Sequence, residues 1–165
     1  MTNALFELFG VRVFPNAEFG KRRYNRTKEE TRDEYERLVK DNPDNIYYLD
    51  EDSNRILCIK DFAGLADQVE STILWAVVEY RGYFEFDKRV ILKSKRTRDD
   101  ILEFINNLRS IEYYDGFGSQ ELFGTVVFKD GSWLTRGEYD GSEWWERHLL
   151  PVEPDWSDFN NTESV

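Results

Sequence analysis

Few side chains in this sequence have the types and spacing of a catalytic site. His148 is the single histidine, so any imidazole acid–base chemistry would have to use it. The single cysteine, Cys58, lies in the apolar run RILCIK with no base near it in sequence, and reads as a buried, inert thiol. Glu138, Asp140 and Glu143 crowd one predicted turn. Three carboxylates there could hold a hard cation such as Ca²⁺ or Mg²⁺, or meet a basic partner; a solvated turn is the reading adopted. Asp50 to Asn54 (DEDSN) looks like part of a calcium loop but lacks the glycine at the sixth position and the glutamate at the twelfth. Gly116-Phe117-Gly118 is followed by no Gly-Lys-Ser/Thr, and no Gly-x-Ser-x-Gly elbow exists. The expectation is a protein that is not an enzyme and uses no cofactor or metal.

The carboxylates belong to Gly124 to His148, GTVVFKDGSWLTRGEYDGSEWWERH, with two Asp-Gly pairs at 130–131 and 140–141. Asp-Gly between alternating apolar residues signals a two-residue hairpin, because a type I′ turn needs positive φ at both central positions. Two such turns predict a three-stranded meander. In that register Phe128 faces Trp133 and Val126 faces Thr135. Across the second turn Tyr139 faces Ser142, Glu138 faces Glu143, Arg136 faces Trp145 and Trp133 faces His148. One face, carrying Val126, Phe128, Trp133, Tyr139, Trp144 and His148, is expected to meet the core. The other carries Thr125, Val127, Lys129, Leu134, Arg136, Glu138, Glu143, Trp145 and Arg147, with Arg136 stacked on an exposed Trp145.

The 165 residues suffice for one domain with a sizeable core, and 16% aromatics can fill it. One cysteine excludes an internal disulfide. The start, MTNALFELFGVRVF, has no signal-peptide pattern and no run reaches the roughly 18 apolar residues of a membrane helix, so a cytoplasmic protein is expected. The formal charge of −11 repels nucleic acid on average. Basic residues nevertheless cluster in 21–28 (KRRYNRTK) and 88–98 (KRVILKSKRTR), which hold no acid, while 41–87 and 138–165 are strongly acidic.

Along the chain, residues 4–14 read as a strand or a short helix, and 16–26 as a loop. Thr27 with Glu30, and Thr97 with Asp100, have capping-box spacing and predict helices over about 27–40 and 97–108. Residues 46–50 and 55–60 read as strands. Leu65, Val69, Ile73, Ala76 or Val77, and Tyr80 recur at helical intervals and predict a helix over about 63–80, with a strand over 72–80 (TILWAVVEY) as its rival. Residues 83–93 suggest a strand or bent pair, 114–120 a glycine-rich loop, and 151–165 an acidic tail after a domain spanning 1–150. The class is α+β: an antiparallel sheet including the C-terminal meander, with about three helices on one face.

The residues Gly124, Lys129 to Trp133 and Arg136 to Glu146, followed by Pro151, resemble a C-terminal motif of small proteins encoded by tailed bacteriophages. The resemblance covers about the last quarter of the chain. That family carries no assigned activity, so no catalytic residue transfers. What the resemblance implies is a phage or prophage accessory protein; small acidic proteins of such origin often bind host machinery, including restriction and CRISPR enzymes.

These readings converge on an interaction protein that binds and inhibits a host nucleic-acid-handling defence protein, in the host cytoplasm. Its expected contacts are Arg136, Glu138, Asp140, Glu143, Trp145 and Glu146, carboxylates on a rigid sheet fitting a groove built for phosphates. The alternative is direct nucleic-acid binding through Arg22, Arg23, Arg26, Lys93, Lys95, Arg96 and Arg98, with Tyr24 stacking on a base.

Overall fold

The computed structural model describes residues 1–13, 26–82, 87–114, 116 and 118–159. All strand pairing among them is antiparallel, and the fold is α+β. The chain begins with β1 (Thr2–Asn3), α1 (Ala4–Phe9) and β2 (Val11–Arg12). Asn3 caps α1 by accepting from the Leu5 and Phe6 N–H groups, so the apolar start is a helix rather than a strand. α2 (Lys28–Asp41) opens on Thr27 and Glu30, and α4 (Arg98–Arg109) on Thr97 and Asp100, each a complete capping box as the spacing predicts. β3 (Ile46–Asp50) and β4 (Arg55–Ile59) form a hairpin that β2 extends to three strands.

The helix predicted over 63–80 is corrected. α3 (Phe62–Thr72) stops at Thr72 and β5 (Ile73–Tyr80) starts at once. Leu65, Val69 and Ile73 are buried at helical spacing; Ala76, Val78 and Tyr80 are then buried at the two-residue spacing of a strand. Ile73 fits both periods. The β-branched and aromatic run from 73 to 80 decides for strand. The helix end is held by Arg96, whose guanidinium donates to the carbonyls of Val69, Glu70, Ile73 and Leu74 at 2.5–3.3 Å. One cation thus ties the last turn of α3 to the first residues of β5 and opposes the helix dipole, while Val69 O also keeps its helical bond from the Ile73 N–H.

β6 (Lys88–Leu92), α4, β7 (Glu112–Tyr113), β8 (Leu122–Phe128), β9 (Trp133–Tyr139) and β10 (Ser142–His148) complete the order. The larger sheet runs β10-β9-β8-β5-β6, and β1 pairs with β7. Its inner face, with Ile73, Ala76, Val78, Val90, Leu92, Leu122 and Val126, shares one core with α1, α3, α4 and the Leu57 and Ile59 side of β4. Cys58 is buried as the sequence suggests, and burial pushes its thiol up, away from the reactive thiolate. After β10 the chain is exposed at residues 149–157 and at Phe159, with a 3-10 turn at Trp156–Asp158. No helix among the described residues is long and apolar enough to cross a membrane.

Candidate functional site

The two Asp-Gly turns of the meander are not alike. Asp140 and Gly141 have φ of 52° and 85°, the two-residue I′ turn, and every predicted β9–β10 pair is observed, from Tyr139–Ser142 to Trp133–His148. The first turn has three residues, Lys129-Asp130-Gly131. The Phe128 N–H donates to Ser132 O at 2.8 Å, and only Gly131, at φ 90°, is left-handed. The Asp130 carboxylate accepts the Ser132 N–H at 2.8 Å and its hydroxyl at 2.5 Å, and these bonds hold it below the usual carboxylate range. The extra residue shifts β9 by one position against β8. Val127 faces Trp133 and Val126 faces Leu134, not Trp133–Phe128 and Thr135–Val126 as predicted.

A shift of one residue exchanges the faces of β9 and β10. Val126 is buried as expected, and it now draws Leu134, Arg136, Glu143 and Trp145 inward. Arg136, Glu143 and Trp145, predicted as surface contacts, are therefore corrected to interior residues. The Arg136 side chain is only 2% exposed. It donates to Glu7 and Glu143, both at 2.9 Å, and to the Tyr113 hydroxyl at 3.1 Å. Its guanidinium does stack on Trp145, 4.8 Å from the ring, but underneath the sheet. Glu143 also accepts the N–H groups of Glu121 and Leu122 at 2.9 and 3.0 Å. The bonds to Glu7, Glu143 and Tyr113 make the buried charge set tolerable, while Arg136 Nε and Trp145 Nε1 have no partner among the described residues. The like-charge pair Glu138–Glu143 is thereby resolved: Glu143 turns inward, and Glu138 stays exposed and accepts the Gly141 N–H at 3.1 Å.

Residues predicted for the core come out on the other face. Tyr139 is 77% and Trp144 39% exposed, and Trp133 and His148 are half-buried. The sequence carried a signal for this: Thr135, Ser142 and Glu146, all polar, share that face. Trp133 and His148 stack at 5.3 Å, and His148 Nε2 lies 2.7 Å from the Thr135 hydroxyl. Trp144 packs against Gly137, where any Cβ would meet the indole at 2.5 Å, and its Nε1–H donates to Glu146 at 3.1 Å. Trp75, Val127, Trp133 and His148 form one row across four strands, with Ile91 and Val77 beside them. The helices that contact this sheet add their apolar residues to the core on its opposite face. The outer face is polarised. Arg81 and Arg89 flank Glu79 toward β6, while Glu146 lies on the β10 side with Asp140 at the hairpin tip.

Two of the predicted basic contacts are committed elsewhere. The Arg96 side chain is 3% exposed and spent on carbonyls at the α3–β5 junction, which corrects its place among nucleic-acid contacts. Arg98 pairs with Asp67 at 2.5 Å. Lys93 and Lys95 are exposed, and Arg26 is half-buried. Arg22, Arg23 and Tyr24 lie outside the described residues. Among the described residues no group of three His, Cys, Asp or Glu is placed to hold a metal ion. Comparison with protein-family models, curated proteins and solved structures gives no match to this chain.

Proposed function

We propose that the protein is a non-enzymatic interaction protein that docks a basic partner on the β10 side of its outer sheet face. The observation that carries this is Trp144. It is a large aromatic, 39% exposed, whose orientation is preset by Gly137 beneath it and by its bond to Glu146. An exposed ring already held in one pose loses little entropy on binding, and Trp is enriched at binding hot spots. Glu146 sets a carboxylate against it, Asp140 stands at the tip of the same hairpin, and the chain as a whole carries −11. Such a surface favours association with a groove built for phosphates and makes it salt-sensitive. Joined to the phage-like motif, this supports an accessory protein that inhibits a host nucleic-acid-handling protein. Trp144 takes the place that the sequence reading gave to Trp145.

The test is affinity capture from bacterial lysate at low salt, followed by assay of the captured protein's nucleic-acid binding. The expected result is a nucleic-acid-binding protein, inhibited by the bait, released by salt and lost with Trp144→Ala. Capture of nothing, or capture indifferent to Trp144→Ala, would overturn the reading. A gel shift of single-stranded DNA or RNA at about 50 mM salt would instead favour the basic clusters.

A further inference from the structure

Two features outside that surface complement each other. The first is the segment after β10. Leu149, Leu150, Val152, Trp156 and Phe159 are 54–88% exposed, an unusual density of apolar surface for eleven residues. The segment is not shapeless at its far end. Asp155 accepts the Ser157 N–H at 3.0 Å, the Trp156 Nε1–H donates to Glu153 at 3.1 Å, and the Trp156 and Phe159 rings lie 5.6 Å apart. The result is a two-ring knob next to carboxylates, and from Leu149 to Val165 the sequence has four acids and no Lys or Arg.

The second feature is a groove of about 470 Å³ between β6, at the open edge of the sheet, and α4. Ile91, 49% exposed, supplies apolar surface in it. Lys93 and Lys95 line it, exposed and without an ion pair among the described residues, whereas Arg89 is engaged by Glu79. Of the two carboxylates on the helix side, Asp100 accepts the Thr97 N–H at 2.9 Å as part of the cap, which leaves Glu103. The groove thus offers unspent positive charge beside apolar surface, and the segment offers negative charge beside two exposed rings.

We propose that the Leu149–Phe159 segment of one copy of this chain docks in the β6–α4 groove of a second copy. Trp156 and Phe159 cover Ile91, and Glu153 and Asp155 meet Lys93 and Lys95. Among the described residues of a single chain the segment's apolar side chains are exposed and the two lysines have no ion pair, so the complementary surfaces find each other between copies. The proposal does not depend on the docking role of Trp144, which lies on the opposite edge strand's side of the sheet.

Sedimentation velocity on the full chain tests it, over about 1–100 µM at about 50 mM salt and again at about 500 mM. The expected result is reversible self-association at low salt, weakened at least tenfold at high salt. The double variants Trp156→Ala with Phe159→Ala, and Lys93→Glu with Lys95→Glu, alter exposed positions and should fold normally. Each alone should be monomeric. Mixed, they should form a heterodimer, since one retains the groove and the other the segment. A monomer at every concentration, or self-association that survives both double variants, would overturn the proposal. So would a monomer whose Trp156 emission shifts with Lys93→Glu and Lys95→Glu, because the segment would then occupy its own groove.

Discussion

Trp144 and Trp145 are neighbours of the same type on one strand, yet they sit in opposite environments. Both lie close over a glycine. Trp145 packs against Gly124 on the inner face, stacked on a buried Arg136 that Glu7, Glu143 and Tyr113 hold in place. Trp144 covers Gly137 on the outer face, with Glu146 as its one polar side-chain partner among the described residues, and is partly exposed to solvent. The inner ring is part of the structure's charge and packing lattice; the outer ring is available to a partner. What separates them is the parity of the strand, and that parity is set by the length of a distant turn at Lys129-Asp130-Gly131.

The largest expected effect comes from breaking the inner side. Arg136→Ala takes from buried Glu143 the cation it pairs with and from Glu7 one of its partners, and should cost about 3–5 kcal/mol in urea unfolding. Gly124→Ala is next. Its Cβ would lie 2.4 Å from the Val77 carbonyl oxygen, which is backbone and cannot swing away, so about 1–3 kcal/mol of overpacking strain is expected by the same measurement. Gly137→Ala is the outer counterpart. Its Cβ would meet the Trp144 indole and the end of Glu146, side chains that can rotate, so the cost should be about 0.5–1.5 kcal/mol, with a shift in tryptophan emission and weaker partner capture. Glu138→Gln should leave stability within about 0.5 kcal/mol and change only the salt dependence of partner binding.

How much of this was legible in the sequence follows the range of the interactions. Capping boxes at Thr27 and Thr97 and the I′ turn at Asp140-Gly141 are local devices, read from spacing and confirmed in the fold. The turn at Asp130-Gly131 is local too, but Asp-Gly suits both a two-residue I′ loop and a three-residue loop ending on a left-handed glycine. Ser132 bonding back to Asp130 accompanies the longer form. The inward turn of Arg136 and Glu143 was not legible, because their partners come from Glu7, Tyr113 and the backbone at 121–122, far away in sequence. Polar residues beside a tryptophan look like surface until those partners are known. The same holds for Arg96, which reads as part of a basic patch and serves instead as the cap of α3. At Ile73 the helical and strand periods share a residue, so periodicity alone could not place the change of element.

The most direct test of this account compares Trp144→Ala with Trp145→Ala in urea unfolding under one set of conditions. Trp145→Ala is expected to lose about 3–5 kcal/mol, the range for removing a large aromatic from a packed interior, and Trp144→Ala no more than about 1 kcal/mol. Comparable losses, or the larger loss at Trp144, would contradict the assignment of faces and with it the surface on which the proposed function rests.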